Sequence, residues 1–565
     1  MASVPASDVP TVSSGPKVPL LRGRLALIGP GFSIVVLVLL AYLPALRGGF
    51  VWDDDSWTTK LVALLRDSSG LRSIWFQPTA MQQYYPLTGT TFWLDYHLWR
   101  FWPLPYHVEN ALLHALSALL FWRVLRRLQI QGAWLAAALF ALHPVMVEST
   151  AWITERKNVL SLTLCLGAAL AYGRYPLEAK AAAGRPLDGR EGQRSLSYVL
   201  AVFLFLGALL AKPTVCSFPA VVLLLAWWRR GELRWRQDVV PTLPFFALAL
   251  GMCAVTGWIE KTHVGAQGAD YALTIPQRIL IAGRAVWFYL GKLVWPSNLC
   301  FVYPRWKPDA GQWWQWLYPL TAVGGLSTLW LARGRIGRGP ITALLFFVGT
   351  LSPMLGFVNV YFMRYSFVCD HWVYFPSLGL FALTATGLSS VVTARDDGRL
   401  PKGAAVGVLL LVLGGLTWRQ AGTFAGLESQ LRITIERNPE CWFAYNNLGN
   451  ALFRKGRVEE AIGDFQEAIR LKPDLAEAYT SLGVALASTG RLDEALGQFR
   501  HAIRLKPDYA EAYYDLGIAL EQSGEPERAL RQFQEAVRLK PGFAAAQSRL
   551  ARELRRRGQV PPAEP

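Results

Sequence analysis

Eleven apolar runs, most separated by short charged stretches and two by long loops at 47–107 and 260–314, set the pattern of the chain as far as residue 419. They cover about residues 25–46, 108–128, 133–151, 158–173, 197–211, 215–228, 239–259, 315–332, 340–358, 373–393 and 403–418. Roughly 20 apolar residues in a helix cross a bilayer, so the pattern predicts a polytopic membrane helix bundle of about 11 spans over 25–419. A further run, "IPQRILIAGRAVWFYLGKLVWPSNL" (275–299), carries Arg278, Arg284 and Lys292 one or two helical turns apart. It reads as an interfacial or re-entrant helix whose cations snorkel to the surface. Residues 1–24, polar and rich in Pro and Ser, and the tail 557–565 are expected to be disordered.

From residue 439 a different period takes over. Pro439, Pro473, Pro507 and Pro541 stand 34 residues apart, and the same step relates Gly449, Gly483 and Gly517, and Phe465, Phe499 and Phe533. This is the tetratricopeptide (TPR) pattern: Gly and Ala let paired helices approach, Phe fills between them and Pro closes each unit. Three full repeats over 439–541, with flanking helices, make a TPR domain of residues 420–556, an α-solenoid. The fold class is therefore all-α throughout. The solenoid offers a concave surface for a protein acceptor or partner; a spacer or oligomerisation arm is the plainer alternative.

Charge decides how the bundle is oriented. The chain is 52% hydrophobic with a mean hydropathy of +0.24, and its formal charge is +17. Lys and Arg gather in alternate short loops, such as Arg123, Arg126 and Arg127 or Arg229, Arg230, Arg234 and Arg236. That bias puts the N-terminus in the cytoplasm and the TPR outside. No basic block with interleaved aromatics occurs in a soluble stretch, which argues against nucleic acid as a partner. Six scattered cysteines form no CxxC, and His107 and His114 complete no ligand set, so no metal site is predicted.

On the outer side, "GGFVWDDDSWTTK" (48–60) brings Asp53, Asp54 and Asp55 to the mouth of the first span. The same side receives Glu148, Glu155, Arg156, Lys157, Lys212, Arg364 and His371. Charged groups beside a low-dielectric phase are costly and often have a task. Gathered at the outer ends of different helices, these residues form a charged constellation and a candidate site.

The segments "YHVENALLHALSALLFWRVLRRL", "ALHPVMVESTAWITERKNVLS", "LLAKPTV", "FYLGKLVWPSNLCFVYP" and "CDHWVYFPSLGLF" resemble the transmembrane and TPR-containing O-mannosyltransferases, especially their bacterial relatives. The resemblance implies a GT-C-type bundle that takes its sugar from a polyprenyl-phosphate donor on the outer leaflet and hands it to Ser or Thr hydroxyls of proteins. The family's paired acidic motif falls on Asp53 and Asp54. The last motif reads Asp370-His371 where the bacterial relatives carry Asp-Arg, which makes Arg364 a substitute for phosphate contact.

The expected reaction is an inverting displacement with Asp53 or Asp54 as base, the other orienting the acceptor or an ion. Arg156, Lys157, Lys212, Arg364 and His371 are the candidates for the donor phosphate, and His143, Glu148 and Glu155 for orienting groups. For His143 a purely structural role is the alternative, as interface anchoring is for the cations. A transferase acting on a lipid or glycan, and a silent TPR membrane scaffold, are the competing functions. No cofactor is expected beyond the donor lipid, and a divalent metal is left open. The expected location is a bacterial inner membrane with the site and TPR outside, or the endoplasmic reticulum with a lumenal TPR.

Overall fold

The computed structural model describes residues 20–58, 61–173, 191–394 and 403–556, and every regular element among them is helical. The expected disorder of 1–19 and 557–565 falls outside these residues. Within the stretch 1–24, however, a helix already begins at Leu20 and runs to Tyr42. All eleven apolar runs coincide with helices. Among the described residues, three helices, Pro103–Arg127, Trp235–Val264 and Ala404–Phe424, are long and apolar enough to cross a membrane, and a fourth span is formed if the bent pair Ala133–Leu142 and Pro144–Ala151 counts as one.

The bend in that pair, 58°, falls at His143-Pro144. Proline lacks an amide proton and fixes its own φ, so the helix stops there. The His143 ring takes over as cap, its Nδ1 accepting from Val145 N, while Nε2 lies 3.1 Å from the Leu293 carbonyl. His143 is thus a structural cap with two backbone partners, and the Glu148 carboxylate hydrogen-bonds His371 instead. From here to residue 155 the backbone runs in single turns, Pro144–Met146, Val147–Ala151 and Ile153–Glu155, before the long helix Arg156–Tyr172. Irregular backbone in this segment presents Glu148, Thr154 and Glu155 at the end of the bundle. Lys212 arrives in the same way, in the break between helix Glu191–Ala211 and the turn Pro213–Val215.

The run at 275–299 forms the helix Ile275–Val294, opened by a Thr274/Gln277 capping box. Its cations are held by protein groups. Arg278 donates to Gly356 O and Asn359 Oδ1, Arg284 lies over the Trp306 ring, and Lys292 donates to Ser297 O.

The TPR begins with the leading helix Leu427–Arg437 and continues as three helix pairs from Trp442 to Leu539, closed by Ala544–Arg556. At Gly449, Gly483 and Gly517 an added Cβ would lie 2.5–2.7 Å from a carbon of Phe465, Phe499 or Phe533. This close approach is why the sequence holds glycine there. The solenoid is seated on the bundle: Arg437 donates to Leu299 O, Asn438 Nδ2 donates to Val302 O at 3.0 Å, and Phe443 is buried.

Candidate active site

Trp52 sets the geometry of the acidic pair. Its φ is +44°, in the left-handed region that a bulky side chain occupies only at a cost of about 1–3 kcal/mol. Five aromatic rings hold it there: Trp152 stacks at 5.3 Å, and Phe301, Phe362, Tyr365 and Phe443 lie within 6.3 Å. Beyond this turn Asp53 and Asp54 face different surroundings.

Asp54 is fully buried. It accepts from Val51 N at 2.8 Å through Oδ2, and from Thr154 N at 2.8 Å and the Thr154 hydroxyl through Oδ1. Three donors fix it as a clamp between the first outer loop and the turn at 153–155. Asp53 keeps some exposed surface, yet its Oδ1 is enclosed without a hydrogen-bond partner. Burial pushes the Asp53 carboxyl up to about 6, against the pull of Lys157. Burial and then the Asp53 charge push Asp54 up to about 8, against its three hydrogen bonds. The pair therefore divides its roles by surroundings: Asp54 is a clamp held by three donors, and Asp53 is the less raised acid with a free oxygen. The Asp55 side chain lies outside the described residues.

Beside Asp53, one carboxylate holds two ammonium groups. Glu155 meets Lys157 Nζ at 3.0 Å and Lys212 Nζ at 2.9 Å. Lys157 also lies over the Trp57 and Trp152 rings. Burial acts against ionised Glu155, but the Lys157 and Lys212 ammonium groups paired with it outweigh that cost and hold the carboxyl below its usual range. The trio carries one net positive charge, and the Asp53 carboxylate balances it.

The other predicted groups are distributed differently from the expectation. His371 Nδ1 is 2.8 Å from Glu148 Oε1, and its Nε2 is 3.9 Å from Glu155 Oε1. Burial outweighs the Glu155 carboxylate and pushes the ring down to about 3, so His371 is neutral, and its contact with Glu148 makes the latter its orienting group. Arg156 turns away from the lysine pair. It is ion-paired with Asp95 and with Glu109 Oε2 at 3.0 Å, and it donates to Asn110 Oδ1 and Tyr106 O, which occupies four of its five N–H groups. Arg364 also stands apart, on the TPR side of the Trp52 ring cluster, and donates to Tyr361 OH. A pocket lined by Asn158, Leu162, Thr214, Met354, His371 and Phe375 opens beside the site.

Sequence reasoning missed Thr154 and Asp95. Each acts across a long stretch of chain, and no local pattern announces it. No cluster of three or more His, Cys, Asp or Glu able to hold a metal is present among the described residues.

Comparison with known proteins gives independent findings. The TPR repeat family matches residues 449–490, and the tetratricopeptide repeat family matches 480–542 and 514–564. Protein O-mannosyl-transferase F38B6.6 of Caenorhabditis elegans is 23% identical over 81% of this chain and 65% of its own length. Protein O-mannosyl-transferase Tmtc3 of Drosophila melanogaster is 25% identical over 78% and 55%, and human TMTC1 is 26% identical over 77% and 54%. The chain thus spans between about half and two thirds of these curated relatives. Among solved structures, MamA is 27% identical over 26% of this chain and 85% of its own, with a TM-score of 0.23. Along most of its length the chain is similar to the transmembrane and TPR-containing protein O-mannosyltransferases, and it ends in tetratricopeptide repeats.

Proposed function

We propose that the protein is a membrane glycosyltransferase that moves a mannose-like sugar from a polyprenyl-phosphate donor to a Ser or Thr hydroxyl of a protein presented by the TPR, on a GT-C-type bundle. The observation that carries this reading is the unpartnered carboxyl oxygen of Asp53 beside the Lys157–Glu155–Lys212 trio. The acceptor oxygen attacks the anomeric carbon as Asp53 takes its proton, and the bond from that carbon to the phosphate oxygen breaks on the opposite face with inversion. The electron pair leaves with the phosphate.

Charge balance favours this arrangement. Once Asp53 is protonated, the lysine trio is left with one uncompensated positive charge at the moment the departing phosphate gains a negative one. Fixed cations of this kind stabilise developing charge without reorganisation. Asp54, clamped by Thr154, fixes the turn that carries Asp53, Glu148 orients His371, and the pocket beside His371 receives the donor. The site faces the side of the membrane on which the TPR is seated.

The test is transfer of radiolabelled sugar from polyprenyl-phosphate mannose to protein by the purified chain, wild type beside Asp53→Asn. Label on protein that disappears in the variant supports the reading. Label found on lipid or glycan instead would transfer the chemistry to another acceptor, and equal label in both proteins would remove Asp53 as the base.

A further inference from the structure

The second and third TPR repeats share Ala-Glu at a place where the first has Trp-Phe. Residues 475–479 read Leu-Ala-Glu-Ala-Tyr and 509–513 read Tyr-Ala-Glu-Ala-Tyr, but 441–445 read Cys-Trp-Phe-Ala-Tyr. In the second and third repeats the glutamate pairs with a lysine 29 residues on: Glu477 with Lys506 at 3.5 Å and Glu511 with Lys540 at 2.7 Å. In the first repeat Phe443 replaces that glutamate, and its ring is buried against Trp52 and Tyr365. Lys472, which has lost its partner in the solenoid, lies over the Trp442 ring, 3.6 Å from Asp270 and 3.8 Å from the exposed Asp474.

Phe443 docks on Trp52, and Trp442 packs at 5.5 Å on Tyr365 in the same seam. The half-buried Trp442 ring lies between two cations, with Lys472 Nζ at 5.2 Å and the Arg364 guanidinium at 5.7 Å. Tyr361 and Tyr365 place two more rings against the same guanidinium, at 5.5 and 5.4 Å. Aromatic faces hold a cation in place but bring no counter-charge. Among the described residues no carboxylate lies within ion-pair distance of Arg364, and its Nε is buried without a hydrogen-bond partner. The result is a guanidinium held rigidly by three rings, un-neutralised, at the seam between the TPR and the bundle.

We infer that Arg364, with Trp442 and Tyr361, forms an acceptor subsite that binds a carboxylate side chain of the polypeptide being modified. A planar guanidinium takes a carboxylate through two parallel hydrogen bonds, which a held fork forms at little entropic cost. The donor phosphate already has the lysine trio, whereas Arg364 lies on the TPR side, along the approach of a protein acceptor. Tyr365 links the two places: its ring carries Arg364 and packs at 6.2 Å on Trp52, the neighbour of Asp53. Two ring contacts correspond to roughly three or four residues of extended chain. The acidic residue therefore falls about that far from the modified hydroxyl. This inference rests on the reading that the acceptor is a protein.

The test measures binding of fluorescent peptides to the full-length protein without donor, by anisotropy. Each peptide carries one Thr, with Asp or its isostere Asn placed two to five residues away. The acidic peptide at the matching spacing is expected to bind about tenfold more tightly than its amide counterpart. Arg364→Gln should abolish that ratio and Arg364→Lys should keep part of it, with an unchanged melting temperature as the control for folding. Equal affinity of the two peptides for the wild type, or a ratio that survives in Arg364→Gln, overturns the inference. So does displacement of the acidic peptide by polyprenyl phosphate, which would give Arg364 to the donor. Because no sugar is transferred, failure here leaves the transferase reading to its own test.

Discussion

Replacing each acid of the pair by its amide should separate two properties that a merely acidic loop would lose together. Asp53 titrates at about 6 in the folded protein, against 3.8 when unperturbed. Holding it ionised at pH 8 therefore costs up to about 3 kcal/mol, less the share recovered through its exposed surface. Asp53→Asn removes that cost and no hydrogen bond to Oδ1. Its thermal stability should match or exceed the wild type, while kcat falls by about 10²–10⁴, the usual contribution of a general base. Asp54→Asn does the reverse. An amide has one oxygen and one NH2 where Asp54 meets Val51 N, Thr154 N and the Thr154 hydroxyl, so one backbone N–H faces a donor in either orientation. The loss is about 1–3 kcal/mol. Thermal unfolding followed by tryptophan fluorescence at pH 8, beside radiolabel transfer at the same pH, reads both effects. A destabilised Asp53→Asn with an unaltered Asp54→Asn would refute the division of roles.

The remaining expectations concern pH, the docking seam and the solenoid. The base form of Asp53 appears as pH rises through about 6, so kcat/KM should climb across that range and level off above it; a flat profile from pH 5 to 7 would exclude this group as the base. Both acids are raised in the folded state, so the stability they contribute is full below about 3.8 and is lost as pH rises through 6 and then 8. A melting temperature that rises with pH over this interval in wild type, relative to the Asp53→Asn, Asp54→Asn double variant, would contradict it. Phe443→Ala deletes a ring that is 5% exposed, and should weaken docking of the first repeat by about 3–5 kcal/mol. Hydrogen exchange should then quicken over 427–454 and not over 476–556. Gly483→Ala sets a Cβ 2.7 Å from a Phe499 ring carbon and should cost about 1–3 kcal/mol, seen as a lower melting temperature.

Legibility from sequence followed the range of each interaction. Apolar runs and the 34-residue period are local patterns, and both returned as helices at the expected places. The acidic pair was legible as a pair, since three carboxylates after an apolar run stand out. Which of them faces a partner was not, because the answer lies at Thr154, 100 residues away. Arg156 and Lys157 are neighbours in sequence that a helix start points in different directions. Asp95, 61 residues before Arg156, draws the guanidinium out of the cluster. His371 meets Glu148 across 223 residues. The Trp442-Phe443 departure is different in kind, because aligning the repeats with one another would have exposed it.

That departure also decides how far this protein is modular. The second and third repeats contact neighbours through Glu–Lys rungs that any similar repeat can supply, so arrays beyond residue 473 should be exchangeable between proteins. The first repeat is not, since Phe443 completes the ring of aromatics around Trp52 and so helps to hold the acidic turn itself. A chimera cut at the start of the array would discard part of the packing that holds the acidic turn, while one cut after Lys472 would retain it. The functional boundary of the membrane half thus lies one repeat inside the solenoid.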